Sequence, residues 1–296
     1  MNEREAILAR IQTVPSLPSV VIKLRQYLNE PDVNFDTLAR MIAYDPGLTA
    51  NVLQLSNSAY FGWSRSIRTV KEAIVRLGTN RIFQMVLCMS VAPLVRKPIK
   101  GYDTDSEGLW RHSISTAVCA ELVAAELNLA CRSEAFTAGL LHDMGKIVLG
   151  TFVDVDDAPI KEIMRTDQLA FNEAEQMVLG IDHAEVASAL LLAWNLPDDV
   201  AEAVRWHHQP SRAPENRREL ADLVHTADIL CVGFGFGGGV DGLSYRLDPG
   251  AGERLGLGAD IADKVRAQVT GAVAELDSMF HAVGESENVV VQSSKR

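Results

Sequence analysis

The side chains of this protein best suited to chemistry are histidines and aspartates. Six of the seven histidines fall between positions 112 and 225, a bias that random scatter along 296 residues would not often give. The sharpest element is His142-Asp143-Met144-Gly145-Lys146, near the end of an apolar stretch. An adjacent histidine and aspartate can both reach one metal ion if a helix end presents them at the rim of a cavity. Lys146 returns to the face of His142 at i,i+4 helical spacing, where an ammonium could hold an anion beside that metal. Gly145 would let a substrate or a second helix come close. His112, His183, the pair His207-His208 and Asp228 complete the candidate set. Imidazole and carboxylate donors without thiolate favour iron or manganese over zinc. A pair of such ions about 3.5–4 Å apart can clamp a phosphoryl group and generate a hydroxide nucleophile.

Taken singly, each residue has a blander reading. His112, after Trp110 and Arg111, could be a helix cap or a surface group. His207-His208, just before Pro210, could complement a helix C-terminus. His225 lies one turn before Asp228 and is expected to support the site, and His281 is expected on the surface. Glu134, Glu175 and Glu185 read as first-turn helix residues. As an ordered set, the histidines and aspartates outweigh these separate explanations.

The elements that must position them read as helices throughout, with no convincing alternating strand pattern. Asp36 is expected to cap a helix carrying Leu38, Met41 and Ile42, and Asp45-Pro46 to open another. Thr69 to Leu77 forms a helix that stops at Gly78, and a further helix runs to about Val91. The segment 97–108 is polar and turn-rich. Helices are then expected at 109–128, 133–149, 159–168, 172–179, 183–194, 197–208 and 217–231. The glycine-dense run 233–242 has no strand before it and reads as a flexible surface loop rather than a phosphate cradle. A last helix is expected at 259–281. The fold class is therefore all-α, as two packed helical bundles. Residues 1–96 form the first, 97–108 a linker, 109–283 the second, and 284–296 a disordered tail.

Net charge is −11, with a sequence pI near 5.1, which opposes non-specific binding to nucleic acid and to anionic membranes. The most apolar stretch, 82–95, is too short to span a bilayer, and the charged N-terminus is unlike a signal peptide. Four scattered cysteines without CxxC spacing read as reduced core thiols, so the chain is expected to be cytoplasmic.

His112, His142, Asp143 and Asp228 resemble the ligands of the HD superfamily of metal-dependent phosphohydrolases. His183, His207 and His208 match the additional ligands of the HD-GYP cyclic-di-GMP phosphodiesterases, and Lys146 their phosphate-facing lysine. The glycine-tyrosine-proline loop of those enzymes is not matched, since the chain continues Gln209-Pro-Ser-Arg-Ala-Pro-Glu. Gly108 stands where trinuclear members carry a glutamate. A broader likeness runs from Val14-Pro-Ser-Leu-Pro through Ile42-Ala-Tyr-Asp-Pro-Gly and Leu55-Ser-Asn-Ser-Ala-Tyr-Phe-Gly to His225-Thr-Ala-Asp. It resembles the HDOD family, the HD-related output domain of bacterial signalling.

That resemblance implies a signal-transduction module acting through a protein partner or a nucleotide second messenger, with the metal site structural or regulatory. Because no receiver or cyclase domain is evident, a partner is expected to act in trans. The alternative is a phosphohydrolase acting on a cyclic dinucleotide or nucleotide. There His112, His142, Asp143 and Asp228 would hold one divalent metal and Asp143, His183, His207 and His208 a second. Asp143 and Lys146 would serve catalysis. A helical transcriptional regulator is a third reading, disfavoured by the acidic charge.

Overall fold

In the computed structural model of the protein, residues 2–58, 65–96, 99, 107–153, 155–237 and 246–293 are described. Among them there is no strand, and the all-α expectation holds. The chain divides into two units, Met1–Ser16 with Ala92–Val269, and Leu17–Val91 with Thr270–Arg296. The first sixteen residues thus group with the later helices, unlike a division at 97–108.

The smaller unit contains α2 (Ser19–Leu28), α3 (Phe35–Ala43), α4 (Pro46–Ser56), α5 (Val70–Leu77) and most of α6 (Thr79–Val95). Local chemistry sets their starts. Asp45 Oδ1 accepts the Leu48 N–H at 3.0 Å, with Pro46 at the first helical position, and Thr69 Oγ1 accepts the Glu72 N–H at 3.1 Å. The expected cap at Asp36 is instead supplied by Asn34, whose Oδ1 accepts the Asp36 and Thr37 N–H groups at 2.9 and 3.1 Å. Asn34 has the extended backbone a cap needs, and Asp36 instead pairs with Lys71. Gly78, at φ +82°, ends α5. Leu38, Ile42, Val52 and Ile74 are buried here, each worth about 1.5–3 kcal/mol relative to exposure.

The larger unit begins with α1 (Glu3–Arg10), which packs on α12. It continues with α7 (Gly108–Glu126), α8 (Arg132–Leu141), α9 (Met144–Ile147), α10 (Ala158–Asp167), α11 (Phe171–Leu179), α12 (His183–Ala193), α13 (Asp198–Trp206), α14 (Arg218–Cys231) and α15 (Pro249–Leu255). α7 packs against α8 and α14, and α12 against α9 and α13. Its residues are buried on most sides, which explains why α7 lacks a polar stripe. The stretch 133–149, expected as one helix, breaks at His142-Asp143 and ends in a π-helical turn at Val148–Val153. α16 (Ala259–Ser293) runs past its expected end at His281. No proline follows Pro249 to stop it.

Cys88, Cys119 and Cys231 are buried as expected, but Cys131 is only half-buried, its Sγ 3.5 Å from Glu219 Oε1. Phe61-Gly62, most of 97–106, and the glycine-rich residues from Gly238 to Gly242 lie outside the described residues. No single helix among the described residues is long and apolar enough to cross a membrane.

Candidate metal centre

Four helices and a broken turn bring the candidate residues together. His112 comes from the first turns of α7, Asp228 from α14, and His183 from the start of α12. His207 and His208 follow the last turn of α13, and His142-Asp143 form the break between α8 and α9. Asp143 stands at the N-cap of α9, where an aspartate would normally accept a backbone N–H, yet it makes no such bond. Its carboxylate turns to the site instead. All of these side chains are buried except His208, which is half-buried.

Hydrogen bonds made away from the centre fix the imidazole tautomers. His142 Nδ1 donates to the Gly139 carbonyl at 2.8 Å, His207 Nδ1 to that of Val204 at 2.7 Å, and His112 Nδ1 to that of Phe236 at 3.0 Å. His183 Nδ1 meets Glu175 Oε2 at 2.5 Å, and the His183 backbone N–H donates to the same oxygen at 2.9 Å. A ring that donates through Nδ1 leaves Nε2 as a lone pair unless it is doubly protonated, the usual arrangement of a metal-ligating histidine.

The Nε2 atoms converge. His112 Nε2 is 3.2 Å from His142 Nε2 and 3.0 Å from Asp228 Oδ1, without hydrogen-bond alignment to the latter. His142 Nε2 lies 3.3 Å from Asp143 Oδ2, and His183 Nε2 lies 3.5 Å from Asp143 Oδ1 and 2.8 Å from His208 Nε2. At these separations a proton or a metal ion must lie between each pair, since two bare lone pairs repel. His207 Nε2, Asp143 Oδ1 and both Asp228 oxygens are buried with no hydrogen-bond partner, an arrangement costly in a metal-free site. Three donor sets lie close enough to share an ion: His112, His142 and Asp228; His142, Asp143 and His207; His183, His207 and His208. The residues present therefore fit a divalent metal.

The electrostatics agree. Burial would raise the Asp143 carboxyl, but His142 and the Lys146 ammonium hold it well below the usual range. Burial likewise opposes ionisation of Asp228, yet neighbouring His112 brings it to about 2. Burial and the adjacent rings depress His207 and His208, keeping both neutral. His112 and His183 go the other way: burial disfavours their charged forms, but Asp228 and Asp143 raise His112 to about 9, and Glu175 and Asp143 raise His183.

Lys146 was expected on the His142 helical face. The helix break instead puts it three residues along from Asp143, with Nζ 2.7 Å from Asp143 Oδ2. Gly145 has the expected role of close approach, since a Cβ there would lie 1.9 Å from the His183 carbonyl oxygen. His225 supports the site as expected, donating through Nδ1 to the His207 carbonyl and accepting the Asp248 N–H, at 2.7 and 2.9 Å. Two contributions differ from the sequence reading. Glu175 lies inside α11, beyond its first turn, and its carboxylate holds His183. The start of the glycine-dense run continues α14 as a π-helical turn, Val232–Phe236, kinked at Gly235 (φ +90°), and the Phe236 carbonyl orients His112. Nothing in the local sequence marks Glu175 beyond its lying eight residues before His183.

A family model described as the HDOD domain matches residues 14–210. The chain belongs to the HDOD family. Its fold is similar to that of an HDOD domain protein with unknown function from Geobacter sulfurreducens, at TM-score 0.70 and 24% identity, covering 94% of this chain and 96% of that one. It is also similar to a candidate phosphohydrolase from Shewanella amazonensis, at TM-score 0.65 and 23% identity, covering 89% and 98%. An uncharacterized protein of Treponema pallidum is 26% identical over 225 residues, 76% of this HDOD chain but 43% of that protein's length. The chain thus spans less than half of that curated relative.

Proposed function

We propose that this HDOD protein is a signal-transduction module whose HD-type centre binds divalent metal, and that it acts by binding a protein partner or a nucleotide at that centre. The observation that carries the reading is the set of buried acceptors that no donor reaches, His207 Nε2, Asp143 Oδ1 and Asp228 Oδ2, beside Asp228 Oδ1, which meets only His112 Nε2 at 3.0 Å. They face imidazoles whose Nδ1 atoms are already spent elsewhere. Retaining such a set in a buried site is costly unless a bound group offsets it. The HDOD match supports a regulatory role for the site.

A second reading, a metal-dependent phosphohydrolase, is favoured by one specific feature. The Lys146 ammonium is buried against Asp143, close to where a phosphoryl group would meet the centre. When bound, divalent ions at such a centre would act as Lewis acids on phosphoryl oxygens and lower the pKa of water. The chain's own contribution would be to hold the ligands, exclude bulk water and place a fixed positive charge at Lys146.

Metal content measured after purification without chelator, followed by hydrolysis assays on cyclic di-GMP and a simple phosphodiester with manganese or ferrous iron, separates the readings. The signalling module predicts bound metal and no turnover. Turnover abolished in Asp143→Ala establishes the hydrolase, and a metal-free protein unaffected by His142→Ala removes both.

A further inference from the structure

The backbone of His207 is held separately from its ring. His225 uses both imidazole nitrogens in one chain of hydrogen bonds: Nδ1 donates to the His207 carbonyl at 2.7 Å, and Nε2 accepts the Asp248 N–H at 2.9 Å. Only the neutral Nδ1–H tautomer does both, so neither nitrogen is left to ligate metal. The Asp248 carboxylate spans the same region. Its Oδ2 accepts the Ser211 N–H at 3.2 Å, in the turn just after His208, and its Oδ1 accepts the Gly250 N–H at 3.0 Å, at the start of α15. Asp248 therefore ties α15 both to His225 and to the turn that follows the double histidine.

What keeps Asp248 there is α15 itself. The helix has 7 residues, whereas an isolated helix shorter than about 12–15 residues is marginal in water, so its place is set by docking. Ala251 and Leu255 are buried, and Arg254 makes a two-pronged pair with Asp222 of α14. Arg254 Nε lies 2.8 Å from Asp222 Oδ2, and Nη2 lies 2.5 Å from Oδ1. Nη2 is also 3.7 Å from Asp248 Oδ2. Asp222 is buried, and a buried carboxylate stripped of its guanidinium is costly. The fork fixes direction as well as distance, which a lysine ammonium would not. Asp222, His225, Asp248 and Arg254 all lie beyond residues 14–210, the stretch that the family model matches.

We infer that Arg254 is a positioning residue for the metal centre. Its pairing with Asp222 holds α15 so that the Asp248 N–H fixes His225 and, through His225, the backbone of the ligand His207. The His207 ring is pinned independently, by Nδ1 on the Val204 carbonyl at 2.7 Å. With backbone and ring both held, the direction of Nε2 is set before metal arrives, as outer partners of metal ligands do elsewhere. The inference rests on the metal-centre reading and adds to it the dependence of one ligand on a helix that carries none.

Calorimetric titration of the full chain with Mn²⁺, and the visible spectrum of the Co²⁺-loaded chain, test it in His225→Phe, His225→Gln, Arg254→Met and the double variant His225→Phe/Arg254→Met. His225→Phe and Arg254→Met are each expected to weaken Mn²⁺ binding about tenfold or more and to shift the Co²⁺ bands. His225→Gln, whose amide can donate and accept as the imidazole does, is expected to restore the wild-type bands. The double variant is expected to bind no more weakly than His225→Phe alone, because both changes break one route. Should Arg254→Met not fold, Arg254→Lys, which keeps the charge but not the fork, takes its place with the same expected direction. Wild-type affinity and bands in His225→Phe or in the Arg254 variant, in a chain that binds metal, overturn the inference and leave the centre standing. Effects that multiply in the double variant also overturn it, since Arg254 would then act by a route other than His225. A wild-type chain that binds no Mn²⁺ overturns the metal-centre reading and the inference together.

Discussion

At His183 the backbone N–H and Nδ1 converge on one oxygen of Glu175, so a single buried carboxylate both ties down the first residue of α12 and fixes the orientation of the ring. Supporting groups of this kind typically contribute 10–100-fold to metal affinity. Glu175→Ala is accordingly expected to weaken Mn²⁺ binding by about that factor in a calorimetric titration, and an unchanged affinity would show that His183 is not a ligand. His112 carries a pH dependence. Burial opposes its charge, but Asp228 and Asp143 outweigh burial and raise its pKa from 6.5 to about 9. In the metal-free protein the stability from that proton is fully present below 6.5 and is lost as pH rises through 9. Because a metal must displace the same proton, Mn²⁺ affinity should climb between about pH 7 and 9, by up to roughly tenfold per unit. A plateau above pH 7 would contradict this. The ligand candidates were legible at this scale because imidazole and carboxylate declare their chemistry. Glu175 was not, because a glutamate in an amphipathic helix reads as solvent-facing until its neighbour in space is known.

Among elements, the break at His142-Asp143 matters more than any whole helix. A sequence without proline or a stop signal there reads as one helix over 133–149. The chain nevertheless interrupts it, and both side chains turn into the site. The interruption is a tertiary effect: α9 lies so close to α12 that a Cβ at position 145 would overlap the His183 carbonyl at 1.9 Å. Gly145→Ala should therefore push α12 away, destabilise the larger unit by about 1–3 kcal/mol and reduce metal stoichiometry. Chemical denaturation and metal analysis of the same preparation check this, and wild-type values in both would show that the contact yields at no cost. The caps at Asp45 and Thr69 were legible because they depend on neighbouring residues alone. The π-helical turn at Val232–Phe236 was not, since glycine density gives the same signal for a loop as for a distorted helix.

For the whole molecule, the helical class followed from periodicity, whereas the division of the chain did not. Residues 1–16 belong with 92–269 through long-range packing of α1 on α12, which no local pattern encodes. All the candidate ligands lie within that one unit. A metal that binds only the folded state adds about 2.7 kcal/mol at a hundredfold excess over its dissociation constant. Chelation should thus lower the unfolding midpoint of the larger unit by roughly 5–10 °C. Calorimetry with and without chelator reads this directly, and an unshifted midpoint would mean that metal contributes nothing to folding. The most direct test of the centre itself is anomalous diffraction from crystals grown with Mn²⁺, at a photon energy just above the manganese absorption edge. The account predicts anomalous density among His112 Nε2, His142 Nε2, His207 Nε2 and the carboxylates of Asp143 and Asp228. Crystals whose anomalous density lies only elsewhere, with His112 Nε2 hydrogen-bonded to Asp228 as an imidazolium, would contradict it.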